Sequence, residues 1–188
     1  MEYYRQVFSS SGEPVASWHG HAFEQCQFRK LDLTRTALTG SSFVDCRFED
    51  CNLTGVELKN TKLYDVQFTA CRLLHVDFGV CDAFGFHTNF QDCQLDYTVF
   101  LNRKLRKANF TDCSLKEAHF LKCDLTATVF KNCNLELARF EDNNLTQVDF
   151  ATSYNLTIDP DDNKVKKARF SLYSLPGLLT KYDLVVMQ

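Results

Sequence analysis

The sequence predicts an all-β solenoid closed at its C-terminal end by a short helix, and three regularities carry that prediction. The first is a five-residue hydrophobic period. From Phe90 to Phe150 every fifth residue is alternately Phe and Leu, through Leu95, Phe100, Leu105, Phe110, Leu115, Phe120, Leu125, Phe130, Leu135, Phe140 and Leu145. A helix repeats its apolar face about every 3.6 residues and an ordinary strand about every two, so this period marks a repeat architecture. The second regularity lies two residues before each centre, where a small or β-branched side chain stands, as in Ala108-Asn109-Phe110, Ala118-His119-Phe120 and Ala138-Arg139-Phe140. The third appears when the two extra residues between Phe78 and Phe90 are set aside: the centres then fall into four columns that repeat every twenty residues.

Bulk properties agree with one such domain. At 188 residues, with 45% hydrophobic residues and 17 Phe, the chain can bury one core of ordinary size. Seven Gly and three Pro are too few for a disordered or collagen-like chain. The first twenty residues contain Glu2, Arg5 and Glu13 and no apolar run. Neither a signal peptide nor a membrane span is therefore predicted, and a cytoplasmic location is expected. The net charge of -3 hides an asymmetry: residues 1–100 carry 8 basic and 13 acidic side chains, residues 101–188 carry 13 and 11.

In chain order, residues 1–15 fit no frame and are expected to form an N-terminal cap, because a solenoid needs an atypical first unit over its apolar end. The repeat region is placed at residues 16–170, with Trp18 opening the frame. One column reads Phe28, Phe48, Phe68, Phe90, Phe110, Phe130, Phe150, and the next Leu33, Leu53, Leu73, Leu95, Leu115, Leu135. The third changes from Leu38 and Leu58 to Phe78, Phe100, Phe120 and Phe140; the fourth changes the opposite way, from Phe23 and Phe43 to Leu63, Leu105, Leu125 and Leu145. Each coil keeps two Phe and two Leu, as a close-packed interior of fixed cross-section requires. Stacked at the strand spacing of about 4.8 Å, seven or eight coils make a rod of roughly 35 Å.

Beyond Phe150 the frame falters. Asn155 and Pro160 fall on centre positions, and the stretch from Ile158 to Asn163 reads as an Asp-rich turn. Val165, Phe170 and Leu175 resume the frame. Residues 171–188 are expected to form a helix over Ser174 to Tyr182, with Ser174 as N-cap and Pro176 in the first turn, then a short strand at Leu184-Val185-Val186. Leu172, Leu175, Leu178, Leu179, Tyr182 and Leu184 are more apolar than an end cap demands, so they are assigned both to capping and to a two-fold interface.

Nothing in the pattern points to catalysis. All nine cysteines sit two residues before a centre position, and Cys51, Cys71, Cys93, Cys113 and Cys133 share one column. Residues in register on parallel strands hold their Cβ atoms about 4.8 Å apart, beyond the usual disulfide range of about 3.5 to 4.5 Å, so the reading is small buried thiols. His19 and His21 lack a carboxylate or thiol partner at ligand spacing, and no metal or cofactor is expected. No nucleophile elbow, phosphate loop or metalloprotease motif occurs, and a solenoid filled with Phe and Leu leaves no cavity to desolvate a catalytic group.

Surface candidates are therefore the interruptions. At the insertion, Phe84 and Phe86 bracket Gly85, and only one aromatic is needed to fill the vacated fourth-column centre. Two readings stand: a bulge that lets the columns exchange, and a partner contact. Arg103, Lys104, Arg106 and Lys107 form a dense basic cluster without a stacking platform for bases, read as a solvated corner; Arg103, at a minus-two position, should distort its coil. Three faces carry only a slight negative excess, while the fourth is acidic early, at Glu24, Asp45, Asp65 and Asp82.

The repeating unit, Ala-(Asp/Asn)-Leu-X-X with Phe as the common alternative to Leu, resembles that of the pentapeptide repeat family. The resemblance implies a right-handed quadrilateral β-helix with four pentapeptides per coil. Within the family, the Asp-rich turn, Lys166-Lys167-Ala168-Arg169-Phe170-Ser171-Leu172 and the Leu-Leu tail look like the topoisomerase-protection members, which include albicidin-resistance and quinolone-resistance proteins. That likeness implies a homodimer joined through its C-terminal ends that binds DNA gyrase, with topoisomerase IV as a further candidate, and counteracts gyrase poisons by occupying the DNA-binding saddle as a DNA mimic. It implies neither direct nucleic-acid binding nor a membrane. From the residues, shape plus specific contacts by Asp45, Asp65, Asp82, Phe84 and Phe86 is the expected mode, and the competing class is a generic interaction scaffold with no topoisomerase role.

Overall fold

The computed structural model describes residues 1–10 and 18–185, and within them the chain is a four-sided β-solenoid. The cause is local. In most pentapeptides the residue two places after the centre adopts the left-handed conformation and turns the chain a corner; Arg35, Asp45, Ala70, Asp112 and Leu137 all have φ between 52° and 57°. Side chains other than Gly resist this region. Most corners are held by their own N–H, which donates to a carbonyl of the next coil: Arg35 to Thr54 at 3.0 Å, Asp45 to Tyr64 at 2.9 Å, Asp112 to Lys131 at 2.8 Å.

Between corners lie strands of three or four residues that pair only in parallel, twenty residues apart: Phe23 opposes Phe43, Phe28 opposes Phe48, and Phe110 opposes Phe130. Across the insertion the step is twenty-two, Phe68 opposing Phe90. Phe side chains consequently stack along a face, Phe110 on Phe130 at 4.7 Å and 7°, and meet the neighbouring column edge-on, Phe110 to Phe120 at 6.1 Å and 86°. Both are favoured arrangements of aromatic rings.

The two hydrophobes also mark two kinds of side. Phe centres from Phe23 to Phe140 lie in strands, except Phe78, which starts a 3₁₀ turn over Phe78–Val80. Most Leu centres precede tight turns in which the centre carbonyl accepts the N–H three residues on, as in Leu53 from Val56 (3.1 Å) and Leu115 from Ala118 (3.1 Å); Leu63 lies inside the strand Lys62–Tyr64 instead. The sheet on the fourth face therefore ends at Lys62–Tyr64, and the sheet on the third face begins at Val99–Leu101. The insertion occupies the fault between them.

The minus-two side chains have a further duty that explains the cysteines. Seven of the buried thiols donate to a carbonyl of the preceding coil, Cys51 to Phe28 at 3.3 Å and Cys71 to Phe48 at 3.4 Å among them, and Ser153 does the same to Phe130 at 2.8 Å. Burial pushes the Cys46 and Cys81 thiols up to about 12 and Cys123 up to about 11. All nine cysteines are free and buried.

Three expectations change. Residues at the N-terminus are in frame: Glu2–Tyr4 and Val7–Ser9 are strands, Tyr3 stacks on Phe23 at 5.0 Å and Phe8 on Phe28 at 5.1 Å. Tyr3 does not read as a centre from sequence because its ring carries a hydroxyl, and residues 11–17, between Phe8 and Trp18, lie outside the described residues. Where the frame falters after Phe150, Leu156 and Ile158 supply the buried apolar side chains, since a polar amide at 155 and an imino acid in the turn at 160 fill no core. The C-terminal helix is 3₁₀ and starts earlier, over Leu172–Leu178, because Ser171 rather than Ser174 is the cap: its hydroxyl accepts the Ser174 N–H at 3.2 Å. A second 3₁₀ turn covers Thr180–Tyr182. Leu184 and Val185 carry no strand, and Val186 lies outside the described residues. No helix among the described residues is long and apolar enough to cross a membrane.

Removing one central ring leaves a cavity that rigid neighbouring coils cannot close. Phe110→Ala should lower stability by about 3 to 5 kcal/mol, measured by denaturant unfolding.

Candidate interaction surfaces

At the insertion the chain separates its two aromatics. Phe86 is 4% exposed and completes the core, with its ring 6.2 Å from Phe78, whereas Phe84 is 81% exposed. Phe86 is thus not a partner contact; the vacated fourth-column site takes one ring, and Phe86 is the one that reaches it. Gly85 makes the separation possible. Its φ is +72°, and a Cβ there would stand 2.9 Å from the Tyr64 ring, so neither the conformation nor the space accepts a larger residue. Asp82 Oδ1 accepts the Phe84 N–H at 2.9 Å, which makes Asp82 a turn former with an exposed carboxylate.

Asp45 and Asp65 occupy successive left-handed corners of one edge. Asp45 is exposed beside Arg47; Asp65 is half-buried, with His87 Nδ1 2.7 Å away, close enough for an ion pair although the ring nitrogen makes no hydrogen bond. With Gln67 and Asn89 these residues line a shallow polar groove. The structure therefore gathers Asp65, Asp82 and Phe84 around the bulge and leaves Asp45 one coil away. Exposed Tyr64 and Val80 join Phe84 as apolar surface there; nothing in their spacing singled them out.

The basic cluster divides. Arg103 is 6% exposed and points inward, while Lys104, Arg106 and Lys107 face solvent. Lys104 shares a ladder through Asp124 and Asn144 with Lys164, three coils on, where Lys166 and Lys167 are also exposed. Arg106 pairs with Asp124 at 2.5 Å. The fourth face is acidic before the bulge and basic after it.

At the C-terminal end, Leu178 packs on the core, whereas Leu172, Leu175, Leu179, Tyr182 and Leu184 are exposed, Leu172 at 82%. Tyr173 and Val185 add to this surface at 94% and 88%. Its backing is rigid. The Ile158 N–H donates to Gly177 O at 3.1 Å, and a Cβ on Gly177 would overlap Leu156 O at 1.9 Å. Lys181 Nζ donates to Asp159 Oδ1 at 2.7 Å and to Asp161.

The repeat geometry has a counterpart among known proteins. The model of the pentapeptide repeat region matches residues 21–100 and 98–170. The chain belongs to the pentapeptide repeat family. Two solved structures of QnrB1 variants, trypsin-treated and described as a plasmid-mediated fluoroquinolone resistance protein, share its fold. One has a TM-score of 0.64 at 15% identity and covers 100% of both chains. The other has a TM-score of 0.59 at 16% identity and covers 97% of this chain and 99% of that one. No curated protein matches the sequence.

The Lys181 clip should respond to pH at both ends. Its hydrogen bond to Lys181 holds the Asp159 carboxyl below the ordinary 3.8, so this contribution is present above that value and lost as acid protonates the group. Asp159 and Asp161 hold Lys181 above its ordinary 10.5, so its contribution is present below that value and lost in stronger base. Hydrogen exchange over residues 171–185 should therefore show extra opening below about pH 4 that Lys181→Met already shows at neutral pH.

Proposed function

We propose that this pentapeptide repeat protein binds DNA gyrase in the cytoplasm and protects it from a topoisomerase poison, as a homodimer joined through its C-terminal ends. Topoisomerase IV is the second candidate target. The observation that carries the reading is the exposed apolar C-terminal end on a rod matched from end to end by structures of a fluoroquinolone resistance protein. Leu172, Leu175, Leu179, Tyr182 and Leu184 form the dimer contact, because two copies related by a two-fold axis cover the same apolar patch on each other. A dimer doubles the length of the rod.

Charge favours shape and local contacts over uniform imitation of DNA. The fourth face changes sign along its length, so a continuous negative surface is missing from it. Phe84 with Asp45, Asp65 and Asp82 makes the specific contact with the topoisomerase.

Two measurements test this. Purified protein should restore supercoiling by gyrase in the presence of a fluoroquinolone; failure with several classes of poison overturns the reading in favour of a scaffold with no topoisomerase role. Phe84→Ser should reduce that protection about tenfold or more while the fold is retained, as truncating a contact hot spot of about 1.4 kcal/mol or more does. In light scattering the chain should run at twice its 21.7 kDa mass, and Leu172→Asp with Leu184→Asp should return it to a monomer.

A further inference from the structure

The bulge interrupts a hydrogen-bond pattern of the fourth face. There the minus-two side chain donates to a carbonyl twenty-three residues earlier: Thr61 Oγ1 to Leu38 at 2.8 Å, Cys123 Sγ to Phe100 at 3.1 Å, Asn143 Nδ2 to Phe120 and Asn163 Nδ2 to Phe140, both at 2.8 Å. In the coil after the insertion this place belongs to Arg103. Allowing for the two extra residues, its counterpart carbonyl is that of Phe78, which accepts the Cys81 N–H at 3.3 Å within the 3₁₀ turn but receives no donor from Arg103. The carbonyl left over is that of buried Cys81. Arg103 Nη1 donates to it at 3.0 Å, Nε donates to Leu101 O at 2.9 Å, and the guanidinium lies 5.6 Å from the centroid of Phe86.

A buried guanidinium is costly without partners, and none of the ion pairs among the described residues includes Arg103. What it has is the bulge. Its planar fork supplies donors along two directions at once and a flat cation for an aromatic ring, which no small minus-two side chain can do. We propose that Arg103 is the positioning residue of the bulge: it stands in for the ordinary minus-two side chain, satisfies the displaced Cys81 carbonyl and fixes Phe86 inside, so that Phe84 is presented outside. Toward the following coil the register around Arg103 is kept, Lys104 pairing with Asp124, and the expected departure is confined to the side of the bulge, where Nη1 reaches the Cys81 carbonyl. The insertion makes the space that the side chain fills. The functional consequence rests on the reading of Phe84 as a topoisomerase contact, but the positioning role does not.

The test is a change of sign. Deleting Ala83 and Phe86 restores the twenty-residue period and brings Phe84 onto the centre position, so the space for a guanidinium disappears. Arg103→Thr, which copies Thr61 of an ordinary coil, should lower the Tm of the intact chain and raise that of the deletion variant. Equal shifts in both backgrounds overturn the proposal, because they would make Arg103 a general stabiliser. In the intact chain, Arg103→Thr should also speed hydrogen exchange at least tenfold in residues 81–87 and leave residues 109–141 protected. Arg103→Lys keeps the charge but loses the fork, and serves if Arg103→Thr does not fold: faster exchange confined to 81–87 supports the assignment, while unchanged or evenly spread exchange overturns it. In the supercoiling assay Arg103→Thr should lose protection as Phe84→Ser does. If the unmodified protein never protects gyrase, the functional reading fails, while melting and exchange still decide the role of Arg103.

Discussion

A left-handed residue at the end of most pentapeptides is the constraint on which the rest depends. It turns the chain by one corner, and four corners close a coil. Most of these residues are not glycine, so each corner carries conformational cost. The compensating hydrogen bond comes from the next coil rather than from the same one, as Asp45 to Tyr64 and Asp112 to Lys131 show. A single coil therefore has the strain without the bond. Stability is a property of the stack, and the ends and interruptions are where it is most exposed.

Phe and Leu alternate because the two kinds of side differ. A Phe ring lies in a short strand, where it stacks on its equivalents above and below; Leu lies beside a tight turn. Exchanging the two columns means ending a sheet on one face and starting it on the next. The insertion at residues 81–87 is the place where this happens, which joins the two readings of that segment: it permits the exchange and, in doing so, extrudes Phe84. Buried Phe86, left-handed Gly85 and inward-pointing Arg103 are the parts that make this one conformation.

The C-terminal end solves a different problem. The last coil must be covered, yet the covering segment leaves Leu172, Tyr173, Leu184 and Val185 largely in solvent. The Lys181 clip and the contact of Gly177 with Leu156 and Ile158 hold that surface in place from behind. Both surface features thus sit where the repeat is broken, one in the middle of the rod and one at its end.

The sequence by itself determined the solenoid, its four columns, the place of the insertion and the buried state of the cysteines, because a period of five and a repeat of twenty leave one way to bury every centre. It also pointed to Phe84 and to the apolar tail. Only the tertiary structure decided which aromatic of the insertion turns inward, that Tyr3 and Phe8 already belong to a coil, that Leu156 and Ile158 fill the core where the frame falters, and that Ser171 caps the 3₁₀ helix over Leu172–Leu178. It alone joined Arg103 to the Cys81 carbonyl and Lys104 to the ladder of Lys164. The physical reason is the same in each case: where the repeat is regular, one residue's environment is that of its equivalent twenty residues away and can be read from spacing, but where the repeat is interrupted, a side chain's partner is set by which carbonyl or cavity the displaced backbone leaves open.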